Sequence, residues 1–233
     1  MVECEYMNIS VIFENNNFLV INKPNGLVVH PFDFSEESTI LDFLCLHAPA
    51  TISFENIKTL QDGRSINLGG IVHKLDRETS GIMVVTKNKK TFETLSEAFK
   101  KHAVEKEYSA VVEGLIEKDS FTIDAPLGRN KKEYRQRVNP ENLRGELHEA
   151  ITEVRVISRN LSKHTTLVSL LPKTGRTHQL RAHMAYIGHP IIGDKIYGNK
   201  ETSSLRLMLH ARKLSFKIEG NHHTFETEVP NDF

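Results

Sequence analysis

The feature that most constrains this chain is a polar loop, residues 73–81 (HKLDRETSG), that runs directly into the apolar segment 82–85 (IMVV). A short apolar run bounded by turn residues predicts a strand that is buried on both faces. The Thr-Ser-Gly sequence at 79–81 predicts a tight bend just before that strand. Asp76 is therefore expected at the end of a rigid element, as a catalytic carboxylate requires. The alternative is a surface turn whose charges are merely solvated.

The remaining pattern predicts an α+β fold with a mixed, mainly antiparallel sheet flanked by helices. Strands are predicted at 11–13, 18–21, 104–112, 121–123, 152–157, 165–171, 205–218 and 224–229. Helices are predicted at 38–48 and 89–101, and a third helix is opened by the segment 173–181 and runs to about 187. Residues 49–70 show little periodicity and are expected to form a long loop. We expect one domain over residues 1–233, with its core at about 9–230.

Charge and composition argue against several classes of protein. Lysine plus arginine and aspartate plus glutamate both number 30, so the chain is not expected to bind nucleic acid by bulk charge, although a local basic groove is compatible. Two cysteines, Cys4 and Cys45, form neither a disulfide framework nor a metal motif, which favours a reducing, cytoplasmic location. No apolar run reaches the length of a membrane span, and the first residues do not resemble a signal peptide.

Two further segments carry dense charge. Residues 129–137 contain five cations among nine residues, which is compatible with a solvated loop or with phosphate contacts. Residues 173–181 (KTGRTHQLR) open a predicted helix, whose free N–H groups suit an anion. His178 and Arg181 are three positions apart and are expected on one face of that helix.

Metal and nucleophilic-serine chemistry are disfavoured by spacing. His178, His183 and His189 lie five and six apart, whereas metalloprotease histidines lie four apart with a glutamate between them. No G-x-S-x-G motif surrounds Ser80, and neither cysteine has polar neighbours that would activate it. Neither a metal nor another cofactor is predicted.

Carboxylate chemistry is the remaining interpretation. Asp76 supplies an ionised oxygen, and Arg176 and Arg181 are candidates to keep it ionised. Tyr108 is a candidate to stack on a flat substrate or to transfer a proton. Each residue also has a structural interpretation, such as Tyr108 as a half-buried strand aromatic and Arg181 as a surface helix residue.

Taken together, these segments resemble the RluA-type family of RNA pseudouridine synthases. The matching segments are 20–27 (VINKPNGL), 73–81, 106–108 (KEY) with 113–114, 174–181 with 188–190 and 193–194, and 209–211 (LHA). They occur in the family's order and span roughly residues 9–230. The resemblance implies the family's catalytic fold with a central active-site cleft.

The resemblance also implies the chemistry. Asp76 would be the nucleophile in converting uridine of rRNA or tRNA to pseudouridine, breaking the N1–C1′ bond and forming C5–C1′ after base flipping. Tyr108 would contact the flipped uracil, and Arg181 would pair with Asp76. No cofactor is needed, and a cytoplasmic monomer is expected. The residues predicted to contact RNA are His73, Lys74, Arg77, Thr79, Lys131, Lys132, Arg135, Arg176, His178 and Gln179.

Two departures from the family pattern bear on RNA recognition. Lys74 stands where the family usually has arginine, so a forked contact to a base is lost, unless this position contacts only a phosphate. The small RNA-binding (S4-like) domain of many relatives is not expected, because the catalytic pattern begins within the first dozen residues. The competing interpretation is an RNA-binding protein without catalysis, which has no need of a nucleophile.

Overall fold

A computed structural model describes residues 9–31, 38–60, 63–130, 135–138, 143–199 and 205–233. Its helices are α1 (Ile40–His47), α2 (Lys89–Lys100) and α3 (Gln179–Tyr186), with a 3-10 helix at Pro49–Ile52. Its strands are β1 (Ser10–Glu14), β2 (Phe18–Lys23), β3 (Ile57–Thr59), β4 (Ser65–Asn67), β5 (Ser80–Thr86), β6 (Glu105–Glu113), β7 (Ser120–Asp124), β8 (Leu127–Asn130), β9 (Gln136–Val138), β10 (Leu143–His148), β11 (Ile151–Asn160), β12 (Thr165–Pro172), β13 (Leu209–Ile218) and β14 (Asn221–Glu226). The described residues form two compact units, one within Met1–Val104 and Lys213–Thr227, the other within Glu105–Arg212 and Glu228–Phe233.

The first unit is built around β5, whose seven residues are all buried. Strand β2 pairs antiparallel with β1 and with β5, and the second half of β13 pairs antiparallel with β14. Helix α2 covers the sheet and buries Leu95 against Phe18, Val84 and Phe216. Its N-terminus is capped by Asn88, whose side chain accepts the N–H of Thr91. Packing on both faces explains why β5 is a continuous apolar run.

The second unit contains an antiparallel sheet in the order β6-β12-β11-β7 and a small sheet in the order β10-β8-β9. Helix α3 buries Leu180 and Met184 against the first of these sheets, where Val112 and Leu170 form part of the same core. Each of the strand pairings described above is antiparallel, and an isolated parallel bridge joins Val28 and Thr39. The predicted α+β class with a mainly antiparallel sheet is confirmed.

One local prediction was wrong. Residues 49–70 are not a structureless loop, because they contain the 3-10 helix and the β3–β4 hairpin. Strands of three residues are too short to show alternation in a sequence, and this hairpin is closed by Asn67, whose Oδ1 accepts the N–H of Asn56 at 2.9 Å. A solvated loop was one of two alternatives for the basic segment 129–137, and strands β8 and β9 enter this segment from either side.

Helix α1 begins slightly later than expected. Thr39, the second residue of the predicted helix 38–48, is the N-cap residue, and Thr39 and Asp42 form a capping box. Across the described part of the chain, none of the helices combines the length and apolar character that a membrane span requires.

Candidate active site

Contacts on both sides of Asp76 hold the loop that carries it. Before it, His73 Nε2 accepts the N–H of Val84 at 3.0 Å, and the His73 ring stacks on Phe99 with centroids 4.6 Å apart. After it, the N–H of Thr79 donates to the carbonyl oxygen of Asp76 at 3.1 Å and closes a turn. The predicted tight bend before β5 is therefore present.

Lys23, at the end of β2, is the main support of this loop within the first unit. Its side chain is fully buried, with 0% exposure. The ammonium donates to the carbonyl oxygens of Pro24 (2.9 Å), Leu27 (2.8 Å) and Arg77 (2.9 Å). Three donors meet three acceptors, so one buried side chain joins the 23–27 turn to the loop that follows Asp76.

Backbone contacts reinforce this junction. The N–H of Gly26 donates to the carbonyl of Arg77 at 3.0 Å, and Arg77 Nε donates back to the Gly26 carbonyl at 3.1 Å. The Asn25 side chain donates to the carbonyl of Glu78. The segment 23–27 that resembled the family's first motif thus holds the Asp76 loop rather than forming a separate site.

Lys23 and Asp76 also interact through their charges. Burial lowers the pKa of Lys23 to about 7, while the negative charge of Asp76 opposes this shift and Arg77 adds to it. Asp76 itself is only partly buried. A partly exposed aspartate on an anchored loop is suited to nucleophilic chemistry.

Lys74 lies in a basic neighbourhood of the first unit. Its own side chain is exposed. Burial, and in smaller part the charge of Lys74, lowers the pKa of Lys58 and of His30. Lys58, on β3, approaches His30 Nε2 with its Nζ at 3.1 Å. Lys58 and Lys74 thus share one neighbourhood, and the choice between a phosphate contact and a base contact for Lys74 stays a prediction.

In the second unit, Tyr108 lies in the middle of β6, opposite Leu170 of β12. It is partly buried and packs against the core of that unit. Its position on a strand is as predicted, and its role in proton transfer stays a prediction.

Arg181 and Asp194 form a buried ion pair in this unit. Arg181 Nε donates to Asp194 Oδ2 and its NH2 group donates to Oδ1, both at 2.7 Å, with side-chain exposures of 3% and 0%. Burial alone would raise the pKa of Asp194, but the two bonds from Arg181 and two backbone N–H donors leave it below its ordinary value. Arg181 is thus a buried, oriented guanidinium rather than the surface residue of the alternative interpretation. Its predicted pairing with Asp76 stays a prediction.

The other residues at the start of α3 have mainly internal contacts. Gln179 is buried, and its Nε2 donates to Ile151 and Thr152 while its Oε1 accepts from Thr174 and from the N–H of Arg176. These bonds attach the helix to β11. The Arg176 side chain is exposed and donates to the carbonyl of Glu149 at 3.0 Å. His178 is the N-cap residue, in a left-handed conformation with φ of 53°.

The predicted RNA-contact residues are spread over both units. His73, Lys74, Arg77 and Thr79 lie in the first unit, and Arg135, Arg176, His178 and Gln179 lie in the second. Of these, Thr79 is buried, whereas Lys74 and Arg77 are exposed. Lys131 and Lys132 lie outside the described residues. The RNA-binding roles of all these residues stay predictions.

The histidines considered as metal ligands contact other groups of the protein at hydrogen-bonding distance. His183 is buried, with Nδ1 3.0 Å from Thr152 Oγ1 and Nε2 2.9 Å from the Ala125 carbonyl, and burial lowers its pKa. His189 Nδ1 lies 2.8 Å from the carbonyl of Glu113. Among the residues that the structure describes, no three potential ligands converge as a metal site would require.

The sequence interpretation assigned no role to three residues that the structure places in these networks. Lys23 and Asp194 appeared only inside motifs, as parts of turns, and Lys58 lay in the supposed loop. The available signal was a lysine directly before Pro-Asn-Gly, since a lysine at the end of an apolar strand must find acceptors when buried.

Comparison with known proteins agrees with these observations. Residues 17–186 match the family model described as RNA pseudouridylate synthase. An uncharacterized RNA pseudouridine synthase of Aquifex aeolicus is 37% identical over 100% of this chain and 73% of its own length. The ribosomal large subunit pseudouridine synthase D of Pseudomonas aeruginosa is 34% identical over 97% of this chain and 70% of its own.

A solved structure is similar in fold to this chain. The human RNA pseudouridylate synthase domain containing 1 superposes with a TM-score of 0.77 at 27% identity, over 98% of this chain and 86% of that one. Sequence and fold therefore agree over nearly the whole chain, and the chain belongs to the RluA-type RNA pseudouridine synthases, which are isomerases that act on RNA.

Proposed function

We propose that this protein acts in the cytoplasm and converts uridine in large-subunit ribosomal RNA to pseudouridine, with Asp76 as the nucleophile. The RNA class is supported by the name of the Pseudomonas aeruginosa relative, a ribosomal large subunit pseudouridine synthase. The second RNA class left open by the sequence, tRNA, serves as the comparison substrate in the test below.

The proposed reaction is an isomerisation, so nothing is gained or lost overall. The uracil flips out of its stack, the Asp76 carboxylate bonds to C1′ as the N1–C1′ bond breaks, and the detached base rotates. C5 then bonds to C1′ as the bond to Asp76 breaks, C5 loses its proton and N1 gains one. Tyr108 is the candidate group for the C5 proton, and Arg181 is the candidate for holding the charge of the site.

One observation carries the proposal for Asp76. Its loop is held by the buried Lys23 ammonium and by the stack of His73 on Phe99, yet Asp76 itself is only partly buried. A surface turn with merely solvated charges has no need of a buried lysine beneath it, since burying that charge costs free energy. The anchoring instead matches what a positioned nucleophile needs.

The test replaces Asp76→Asn, which keeps the size of the side chain and removes its charge. We expect turnover to fall by on the order of 10³-fold or more, while RNA affinity changes by less than about twofold. Glu78→Gln in the same loop is the matched control and should retain activity. Pseudouridine formed by the Asp76→Asn variant at the wild-type rate would contradict the assignment.

The RNA class is tested separately. Transcripts of large-subunit rRNA and total tRNA are each incubated with the protein, and pseudouridine is mapped by carbodiimide labelling. We expect modification at discrete positions of the rRNA. Modification of tRNA alone would overturn the choice of substrate and leave the role of Asp76 intact.

A further inference from the structure

A short turn, residues 193–198, connects Arg181 with the small basic sheet of the second unit. Asp194 Oδ1 accepts the N–H groups of Ile196 (2.9 Å) and Tyr197 (3.0 Å) in addition to its bond from Arg181. The carboxylate that orients Arg181 therefore also sets the backbone that carries Tyr197.

The ring of Tyr197 lies against Arg181. The guanidinium carbon of Arg181 is 5.5 Å from the ring centroid, within the range of a cation–π contact. The partly buried ring also packs on the small cluster formed by Leu127, Ala150 and Ala182. Arg181 is thus held by a carboxylate at its donor groups and by an aromatic ring beside it.

The hydroxyl group of Tyr197 reaches a different element. It accepts the N–H of Gln136, the first residue of β9, at 2.9 Å. It also lies 3.2 Å from Nδ1 of His178, whose ring meets the tyrosine ring edge-on. The hydroxyl consequently joins β9 to the N-cap of α3.

Strand β9 belongs to the three-stranded sheet that carries the basic segment. Its partner β8 places Arg129 opposite Gln136, and Arg137 follows on β9. Arg135 makes a second link to the same turn, because its NH1 donates to the carbonyl of Ile196 at 3.0 Å. Exposed arginines on a small sheet need such an anchor to be held against an RNA backbone.

We propose that Tyr197 is a positioning residue with two separable tasks: its ring holds Arg181, and its hydroxyl holds the basic β8–β9–β10 sheet in place for RNA. The proposal rests on the proposed function, in which Arg181 holds the charge of the site, and on the interpretation of residues 129–137 as contacts to RNA phosphates. It adds that the two are joined through one side chain.

The test compares Tyr197→Phe with Tyr197→Leu on a large-subunit rRNA transcript. Tyr197→Phe keeps the ring and removes the hydroxyl, so we expect the dissociation constant to rise about three- to tenfold, as for one lost hydrogen bond. The single-turnover rate at saturating RNA should stay within about twofold of wild type. Tyr197→Leu removes both groups and should also lower that rate by about tenfold or more.

Tyr186→Phe, at the exposed end of α3, is the matched control and should match wild type in both measurements. Thermal melting checks that each variant folds, and the conservative Tyr197→Phe variant decides the matter if Tyr197→Leu does not fold. Unchanged RNA affinity in Tyr197→Phe, or equal rate losses in the two variants, would overturn the proposal. Failure of the proposed function would differ, since it would appear as an inactive wild type or an active Asp76→Asn variant.

Discussion

Replacing Lys23 tests whether a buried ammonium supports the Asp76 loop. In Lys23→Met the carbonyls of Pro24 and Leu27 lose the ammonium donor inside a region from which water is excluded, whereas the Arg77 carbonyl keeps the N–H of Gly26. At about 1 kcal/mol for each buried acceptor left without its partner, the free energy of unfolding should fall by roughly 2 kcal/mol near neutral pH. A typical domain is stabilised by about 5–15 kcal/mol in total, so this loss is a large part of it.

The pH dependence of this effect is more specific than its size. Burial lowers the pKa of folded Lys23 to about 7, whereas the unfolded chain keeps its ordinary pKa near 10.5. Between these values the unfolded state binds more protons, so the stability of wild type rises with pH relative to Lys23→Met. The penalty for burying the charge is complete below about pH 7 and is relieved above it. We expect the difference to grow by about 1.4 kcal/mol per pH unit above neutrality.

The assay is urea unfolding of both proteins at about pH 7 and about pH 9, where the difference should widen by roughly 2–3 kcal/mol. Single-turnover kinetics on the same samples should show a slower Lys23→Met enzyme, because the Asp76 loop has lost its support. Lys90→Met is the matched control, since Lys90 pairs with Glu219 at the surface and its loss should change little. A difference that stays constant between the two pH values would refute the reasoning about Lys23.

Three further outcomes are expected. Asp194→Ala should lower the free energy of unfolding by about 3–5 kcal/mol, because it leaves the buried Arg181 without its carboxylate. Because the pKa of Asp194 is lowered in the folded protein, the stability that this carboxylate adds to wild type should be lost as the pH falls below the ordinary carboxyl range, which an acid titration of unfolding would show. Lys58→Met and Lys74→Met should each reduce the salt dependence of RNA binding by about one phosphate contact, and if both lysines hold the same phosphate the double variant should lose no more than either single one. Gly70→Ala should strongly destabilise the protein in thermal unfolding, because an added Cβ would lie 1.8 Å from a backbone oxygen at the end of β5.

Much of the local structure follows from neighbouring residues and was predictable. The apolar run of β5 behind a turn, the short apolar runs of β1 and β2, and the helical spacing of apolar residues in α2 each favour one kind of element. The β3–β4 hairpin was missed because its strands have three residues each and depend on a side chain, Asn67, for closure. Short elements of this kind draw their stability from contacts that a local pattern does not contain.

The candidate site divides in the same way. The order of charged and apolar residues was enough to single out Asp76, Tyr108 and Arg181, since motifs of this kind lie in continuous stretches of sequence. The pairing of Arg181 with Asp194 across one turn, the three carbonyls around Lys23, and the position of Tyr197 between Arg181 and β9 were decided only by the tertiary structure. A buried charge or hydroxyl must find its partners wherever the fold brings acceptors and donors within about 3 Å. Those partners come from segments up to 61 positions away along the chain, a separation that no local pattern of residues encodes.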